Sequence, residues 1–342
     1  MAGFPTLEEH LRAWAQTDAR NQAVTETILS LAAAGNKIAA VVAQGPLAGR
    51  MGETVGVHAD GDTQKHLDMV TNRIVTDALL AAPVAWMGSE EVETAVALNA
   101  GAPLAVNVDP LDGSSNIETN VSIGTIFSIL PADRPEPLLQ PGSAQLAAGF
   151  IVYGPQTTLA LTVGQGCQIF WADPASGEWL LVKRDVQIPP NTREYAVNGS
   201  NFRHWDAPIQ SYIADIERGA DGPRGGDYNM RWVGSLVADA FRILTRGGVY
   251  LYPGDARKGY AQGRLRLLYE GAPLAFLVEQ AGGVCTDGER RLMDAPATSL
   301  HQRTPLVFGS KNEVAEVAHH YKNPPSIGEK SPLFTPRGLF RS

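Results

Sequence analysis

The sequence predicts an α/β protein. Apolar residues recur at helical spacing in some windows and in short strand-like runs in others, and from the middle of the chain onward the two patterns alternate. With 342 residues, 44% hydrophobic and 19% charged, the chain is long and apolar enough for about two domains or one large α/β unit, and it is not disordered in bulk.

The elements follow in order. Leu7, Leu11 and Trp14, then Val24, Ile28, Leu31 and Ile38, predict two amphipathic helices over residues 7–42, with Gly35 as a candidate interruption. Residues 45–56 form a turn-rich connection, after which Leu67, Val70, Ile74, Leu79 and Leu80 predict a helix stopped before Pro83, with Asp62 and Asp68 at its start. Residues 104–108 read as a buried strand delivering Asp109-Pro110-Leu111-Asp112-Gly113 to a loop. Strand-like runs follow at 121–130, 149–153, 157–163, 167–171 and 179–182. The paired Pro189-Pro190 mark an extended connector and place the domain division at 1–191 and 192–342. Beyond it come helices at 207–216 and 235–245, a strand at 249–252, a helix within 267–281, a strand at 306–308 and a last helix from 312; the Pro- and Gly-rich tail after about 323 is expected to be loosely ordered.

Composition excludes several function classes. A formal net charge of −8 argues against general affinity for nucleic acid or anionic membranes. Cys167 and Cys285 are far apart, which fits neither a disulfide framework nor a zinc site. Glu8, Glu9, Arg12 and Asp18 interrupt the apolar residues at the start of the chain, so no signal-peptide core is expected there. No window approaches the roughly 18 consecutive apolar residues of a membrane span, and the expectation is a cytoplasmic protein.

The informative residues are acidic: Asp62, Asp68, Glu90, Glu91, Asp109 and Asp112. Each alone fits a solvated surface. Yet Glu90-Glu91 and Asp109 each follow an apolar run, and the carboxyl ends of strands are where α/β folds build sites. If those ends converge, crowded carboxylates need a cation, and oxygen-only ligands favour Mg²⁺ or Mn²⁺ over zinc or copper. Pro110 and Gly113 can shape a turn that aims Asp109 and Asp112 at the same ions, with the Leu111 carbonyl as a further oxygen donor. Gly113, Ser114 and Ser115 offer small side chains and open N–H groups to a phosphate. Metal and phosphate together point to phosphoryl transfer to water, with Asp68 or Glu91 taking the water's proton. An acidic loop or a structural calcium site fits the same spacing.

Gly61-Asp62 through Leu67-Asp68, Ser89-Glu90-Glu91, Asp109-Pro110-Leu111-Asp112-Gly113-Ser114-Ser115-Asn116-Ile117 and Val121-Ser122-Ile123-Gly124-Thr125-Ile126-Phe127 closely resemble class 1 fructose-1,6-bisphosphatases of the bacterial type, in the same order. The resemblance continues through Arg231-Trp232-Val233-Gly234-Ser235, Gly247-Gly248-Val249-Tyr250-Leu251-Tyr252-Pro253 and Gly263-Arg264-Leu265-Arg266-Leu267-Leu268-Tyr269-Glu270. It implies a layered α-β-α-β-α sandwich of the sugar-phosphatase type, shared with inositol monophosphatases, and a homotetramer. It implies Mg²⁺-dependent hydrolysis of D-fructose 1,6-bisphosphate, serving gluconeogenesis or the Calvin cycle, with two or three ions per subunit and Mn²⁺ able to substitute. By resemblance Glu90, Asp109, Leu111, Asp112 and Glu270 hold metal, Asp62 lies near a weaker third ion, and Asp68 and Glu91 activate the water. Asp112, Gly113, Ser114 and Ser115 meet the 1-phosphate. Asn198, Tyr252 and Arg231 meet the distal 6-phosphate, with Arg231 reaching a neighbouring subunit, and Arg264 contacts the sugar or the 1-phosphate.

Read without the resemblance, Glu270 is a helix N-terminal residue facing the dipole. Arg231, Arg264 and Lys258, with Tyr252, are groups suited to a second phosphate, though any one Arg also fits a solvated surface. Trp232 stands where vertebrate relatives carry tyrosine, and Arg264 where the family carries lysine; both bear on whether the longer sedoheptulose 1,7-bisphosphate is also accepted. Pro103-Leu104 replace the lysine-tyrosine pair that binds AMP in animal relatives, and the cysteine-bearing redox insertion of plastid relatives has no counterpart, so AMP inhibition at that site and thiol switching are not expected. An inositol monophosphatase-like hydrolase and an inactive sugar-bisphosphate-binding regulator are the remaining rivals.

Overall fold

A computed structural model describes residues 3–48, 54–57 and 63–323. Asp62 and the tail after 323 lie outside the described residues. Helix α1 spans Leu7–Ala15, and its start is fixed by a capping box in which the Thr6 side chain accepts from the Glu9 N–H while the Glu9 carboxylate accepts from the Thr6 N–H. Asp18 caps α2, Ala19–Gln44, and α3 spans His66–Leu80. These three helices cover one face of an eight-stranded sheet. Its strands lie in the order Trp179–Lys183, Gln168–Ala172, Thr157–Thr162, Ala147–Tyr153, Ile123–Pro131, Leu104–Asp112, Val84–Ser89, Val96–Ala97.

Two expectations need correction here. Gly35 does not interrupt α2. It lies where the helix comes closest to the sheet, since a Cβ there would stand 2.4 Å from Ile151 Cδ1. By length and mean hydropathy (1.3 in its most apolar stretch) α2 could cross a membrane. Its Val24, Ile28, Leu31 and Ile38 are instead buried in the sheet core, and Trp179 Nε1 donates to the Ala32 carbonyl at 3.1 Å. Nor do Asp109 and Asp112 sit on a loop. The strand continues through Asp112 with every residue buried. Its register against Ile123–Pro131 slips from Asp109↔Ile126 to Asp112↔Gly124, so this strand carries one extra residue, a bulge. Residues three apart on a regular strand face opposite sides of the sheet; the bulge turns both carboxylates to one side.

The second sheet has five strands in the order Asn229–Met230, Glu194–Val197, Val249–Tyr252, Leu306–Gly309, Val284–Thr286. Three of these, Asn229–Met230, Glu194–Val197 and Val284–Thr286, are not predicted from the sequence: each has only two to four residues and, unlike the runs at 249–252 and 306–308, includes Asn, Glu or Thr among them. Helix α4, Ala207–Glu217, and the last helix α7, Lys311–Lys322, cover its outer face. Between the two sheets lie α5, Leu236–Arg246, and α6, Ala272–Gln280, whose apolar residues pack on both. The expected five-layer order α-β-α-β-α is therefore what the chain adopts. The connector at 186–192 is held in place, for Val186 and Ile188 are buried and their N–H groups donate to the carbonyls of Cys167 and Ala281.

Gly124, opposite Asp112, tests how tightly the bulge is packed. A Cβ there would stand 2.2 Å from the Ile151 carbonyl oxygen, a backbone atom with no room to yield, and 2.7 Å from a Val237 methyl. Gly124→Ala is expected to destabilise the chain by about 1–3 kcal/mol, read as a lower urea midpoint; an unchanged midpoint would show that the sheet relaxes there at no cost.

Candidate active site

Val84–Ser89 runs parallel to Leu104–Asp112, and the Glu90 N–H extends the ladder by donating to the Val108 carbonyl at 3.1 Å. Glu90-Glu91 and Asp109 therefore leave the sheet at the same end. Ser89 joins this end to α3: its hydroxyl donates to Asn72 Oδ1 at 2.8 Å and accepts from the Glu91 N–H at 3.3 Å. Asp68 is buried in the first turn of α3.

Glu270 reaches the same place from the second half of the chain. It is not a solvent-facing helix N-terminal residue. A π-helical turn, Leu267–Gly271, precedes α6 and carries Glu270 inward, where its carboxylate accepts from the Arg266 N–H. One carboxylate oxygen each from Asp109, Asp112 and Glu270 lies within 4.8 Å of the other two, and all three residues are buried. Burial pushes the Asp109 carboxyl well above the usual range, and Glu90, Asp112, Glu270 and Glu91 push it further. Glu270 is raised for the same reasons, burial first, then Glu90 and Asp112. Asp112 is pushed up to about 7 by burial, although the Val237 N–H at the start of α5 donates to its Oδ2 at 2.9 Å. Arg266, itself buried, sets its Nε 3.6 Å from Glu90 Oε1. Among the described residues no His or Cys joins this cluster, so its donor set is the all-oxygen one that suits a hard divalent cation.

The bulge is pinned from behind. Asp109 Oδ1 accepts from the Leu111 N–H at 2.9 Å, and the Pro110 carbonyl accepts from Thr125 Oγ1, which also bonds the Tyr153 hydroxyl. Gly113 follows with φ +82°, a conformation that favours glycine, and opens a short 3₁₀ turn, Ser114–Thr119. Asn116 Nδ2 donates to the Gly234 carbonyl at 2.9 Å, tying this turn to the loop ahead of α5.

A second feature is a cleft of ≈ 300 Å³, open mouth included, lined among others by Asn198, Asn201, Tyr252, Arg257, Tyr260 and Arg264. Three of the residues expected at the substrate, Asn198, Tyr252 and Arg264, meet there. Arg231 does not line it: half-exposed after the edge strand Asn229–Met230, it sets its Nε 3.6 Å from Glu194 Oε1. Lys258 is exposed and off the cleft, whereas its neighbour Arg257, which the sequence reading passed over, lines it. Asn201 and Tyr260 were passed over too; the close spacing of Arg257, Tyr260 and Arg264 was the signal available. Trp232 stacks on Tyr250 with ring centroids 5.6 Å apart and planes at 18°.

The layered fold and its oxygen-only acidic cluster are compatible with the class of divalent-cation-dependent phosphatases. Family models described as the N-terminal and C-terminal domains of fructose-1-6-bisphosphatase match residues 7–184 and 188–322. The chain is 56% identical over 324 residues to the class 1 fructose-1,6-bisphosphatase of Azorhizobium caulinodans, covering 92% of this chain and 99% of that one. It is 52% identical over 341 residues to that of Methylorubrum populi, covering 98% of each. A crystal structure of Leishmania major fructose-1,6-bisphosphatase in holo form superposes with a TM-score of 0.87 at 32% identity, covering 93% of this chain and 99% of that one. The chain belongs to the fructose-1,6-bisphosphatase family.

The crowding has a pH signature. For Asp112, the penalty of ionising in the folded chain is absent below the ordinary carboxyl value of 3.8, where it is protonated folded or unfolded, and grows as pH rises from there to about 7. Asp109 and Glu270 shift in the same direction. The metal-free chain is therefore expected to lose stability from this cluster between pH 4 and 7, and saturating Mg²⁺ to restore it with proton release. Thermal unfolding at several pH values with and without Mg²⁺ reads this; a Glu270→Gln variant should be less pH-sensitive and gain less from the ion.

Proposed function

We propose that the chain hydrolyses D-fructose 1,6-bisphosphate to D-fructose 6-phosphate and phosphate, with divalent cations held at the acidic cluster and the second phosphate held in the cleft. The observation that carries this is Tyr252. It lines the cleft together with Arg264, and its strand Val249–Tyr252 packs on α5, whose Val237 N–H holds Asp112, so cleft and cluster are built on one shared helix. A cation-lined pocket beside a carboxylate cluster suits a molecule with a phosphate at each end.

Glu90, Asp109, Asp112, Glu270 and the Leu111 carbonyl would hold two Mg²⁺ ions, with Asp62 assigned to a weaker third and Mn²⁺ as a substitute. Bound there, such ions polarise the phosphorus and lower the pKa of the attacking water. Asp68 and Glu91 take the proton of that water. The N–H groups of Gly113, Ser114 and Ser115, with Asp112 beside them, orient the 1-phosphate. Asn198, Tyr252 and Arg264 hold the distal end, and Arg231, turned away from its own cleft, contributes to a neighbour's in a homotetramer. In this reading residues 1–191 carry most metal ligands and 192–342 the substrate contacts, in a cytoplasmic enzyme of gluconeogenesis or the Calvin cycle. Trp232, stacked on Tyr250, brings no hydroxyl to the substrate, and sedoheptulose 1,7-bisphosphate is the second substrate to test.

Steady-state phosphate release with Mg²⁺ from the two bisphosphates and from inositol 1-phosphate, with and without AMP, tests the assignment. Release chiefly from the fructose compound and insensitive to AMP is expected; equal rates on both bisphosphates would make the enzyme bifunctional, and no metal-dependent release would leave a binding protein. Glu91→Gln is expected to cut kcat by a factor on the order of 10²–10⁴ with substrate binding retained. Arg231→Ala is expected to raise KM for the bisphosphate through loss of a charge-assisted contact, and an unchanged KM would remove Arg231 from the substrate.

A further inference from the structure

We propose that Arg257 is a specificity-determining residue of the cleft, a second guanidinium that works beside Arg264 to select substrates carrying a distal phosphate. The inference rests on the assignment of the cleft to that phosphate. Arg257 and Arg264 both stand over the ring of Tyr260, their guanidinium carbons 4.8 and 5.0 Å from its centroid. One aromatic ring thus gathers two cations at the wall of one cleft.

Arg257 is also held in place. Asp255 takes its Nε at 3.0 Å and pairs with its Nη2, which donates further to Asn201 Oδ1 at 3.1 Å. The Arg257 N–H donates to Asp255 Oδ1 at 2.9 Å, so backbone and side chain turn on one carboxylate. Asp255 is fixed in turn by its N–H to the Tyr260 carbonyl at 3.0 Å and by a bridge to Trp205. The neighbouring Ala256 N–H donates to the His204 carbonyl at 3.0 Å, which docks the loop on the turn that carries Asn198 and Asn201. Among the described residues Nη1 of Arg257 has no acceptor, and that edge of the fork is available to a phosphate oxygen. A guanidinium already oriented loses little rotamer entropy on binding, so its contact adds to affinity with a small ordering cost.

The test compares kcat/KM for fructose 1,6-bisphosphate and for fructose 1-phosphate, which lacks the distal group, in the unaltered enzyme, Arg257→Met and Arg257→Lys. Arg257→Met is expected to lower kcat/KM for the bisphosphate about tenfold through KM, the size of one charge-assisted contact, and to leave that for fructose 1-phosphate unchanged. Arg257→Lys should recover part of the loss. An equal loss on both substrates would mean that Arg257 only supports the loop, and no loss would mean that it does not meet substrate; either overturns the inference. If the unaltered enzyme releases no phosphate from the bisphosphate, the proposed activity fails. Arg257 is then decided by calorimetric binding of fructose 6-phosphate to the metal-free chain, about tenfold weaker in Arg257→Met if the inference holds and unchanged if it does not.

Discussion

Like charges held close together in a buried place set the terms for the rest of this molecule. At a separation of 4.8 Å and an effective dielectric near 20, two ionised carboxylates repel by about 3–4 kcal/mol, before the cost of leaving water is counted. Left to relax, Asp109, Asp112 and Glu270 would move apart or stay protonated, as their raised pKa values indicate. Each is instead gripped by the backbone. Leu111 donates to Asp109, Val237 to Asp112 and Arg266 to Glu270. Peptide N–H groups are neutral and fixed, so they hold the oxygens in position and leave most of the charge for a cation.

That grip explains why both sheets are needed. Asp109 and Asp112 belong to the large sheet, whereas the N–H on Asp112 comes from α5 and Glu270 enters ahead of α6. These two helices form the middle layer, buried against both sheets, so the cluster is complete only when that layer is docked. Asn116 Nδ2 on the Gly234 carbonyl closes the same seam from the Ser114–Thr119 turn. Packing among apolar residues of the middle layer thereby fixes carboxylates that come from different halves of the chain.

Legibility in the sequence follows from how local each feature is. The helices at 66–80 and 207–217 and the strands between residues 121 and 183 could be read because their patterns run over several residues. The convergence of Glu90-Glu91 with Asp109 followed from two apolar runs ending in acids, and the structure pairs those runs in parallel. The bulge that turns Asp109 and Asp112 to one side left no mark beyond Pro110, because it depends on which strand lies opposite. Glu270 was assigned to the cluster by resemblance alone: nothing local distinguishes a carboxylate in a π turn from one at an ordinary helix start. Gly35 was read as a breaker when it is a close contact, a distinction that needs the position of Ile151. Lys258 and Arg257 are adjacent and both cationic, and only the fold of the loop decides which of them faces the cleft.

The acidic cluster and the cleft differ in the charge that the chain supplies. At the cluster the chain supplies negative charge, so an incoming phosphate is repelled there unless cations intervene. At the cleft it supplies Arg264 and Arg257, with Asp255 as a counter-charge on the side that orients Arg257. In the proposed function the distal phosphate therefore finds permanent positive charge, while the reacting phosphate finds it only when the cluster holds cations. Tyr252 lines the cleft, its phenol raised chiefly by burial, with Arg264 lowering it and Glu270 raising it. A substrate with one phosphate can satisfy only one of these regions, and a bisphosphate of suitable length satisfies both. On the proposed function, selectivity for bisphosphates thus lies in the opposite charges that the cluster and the cleft present.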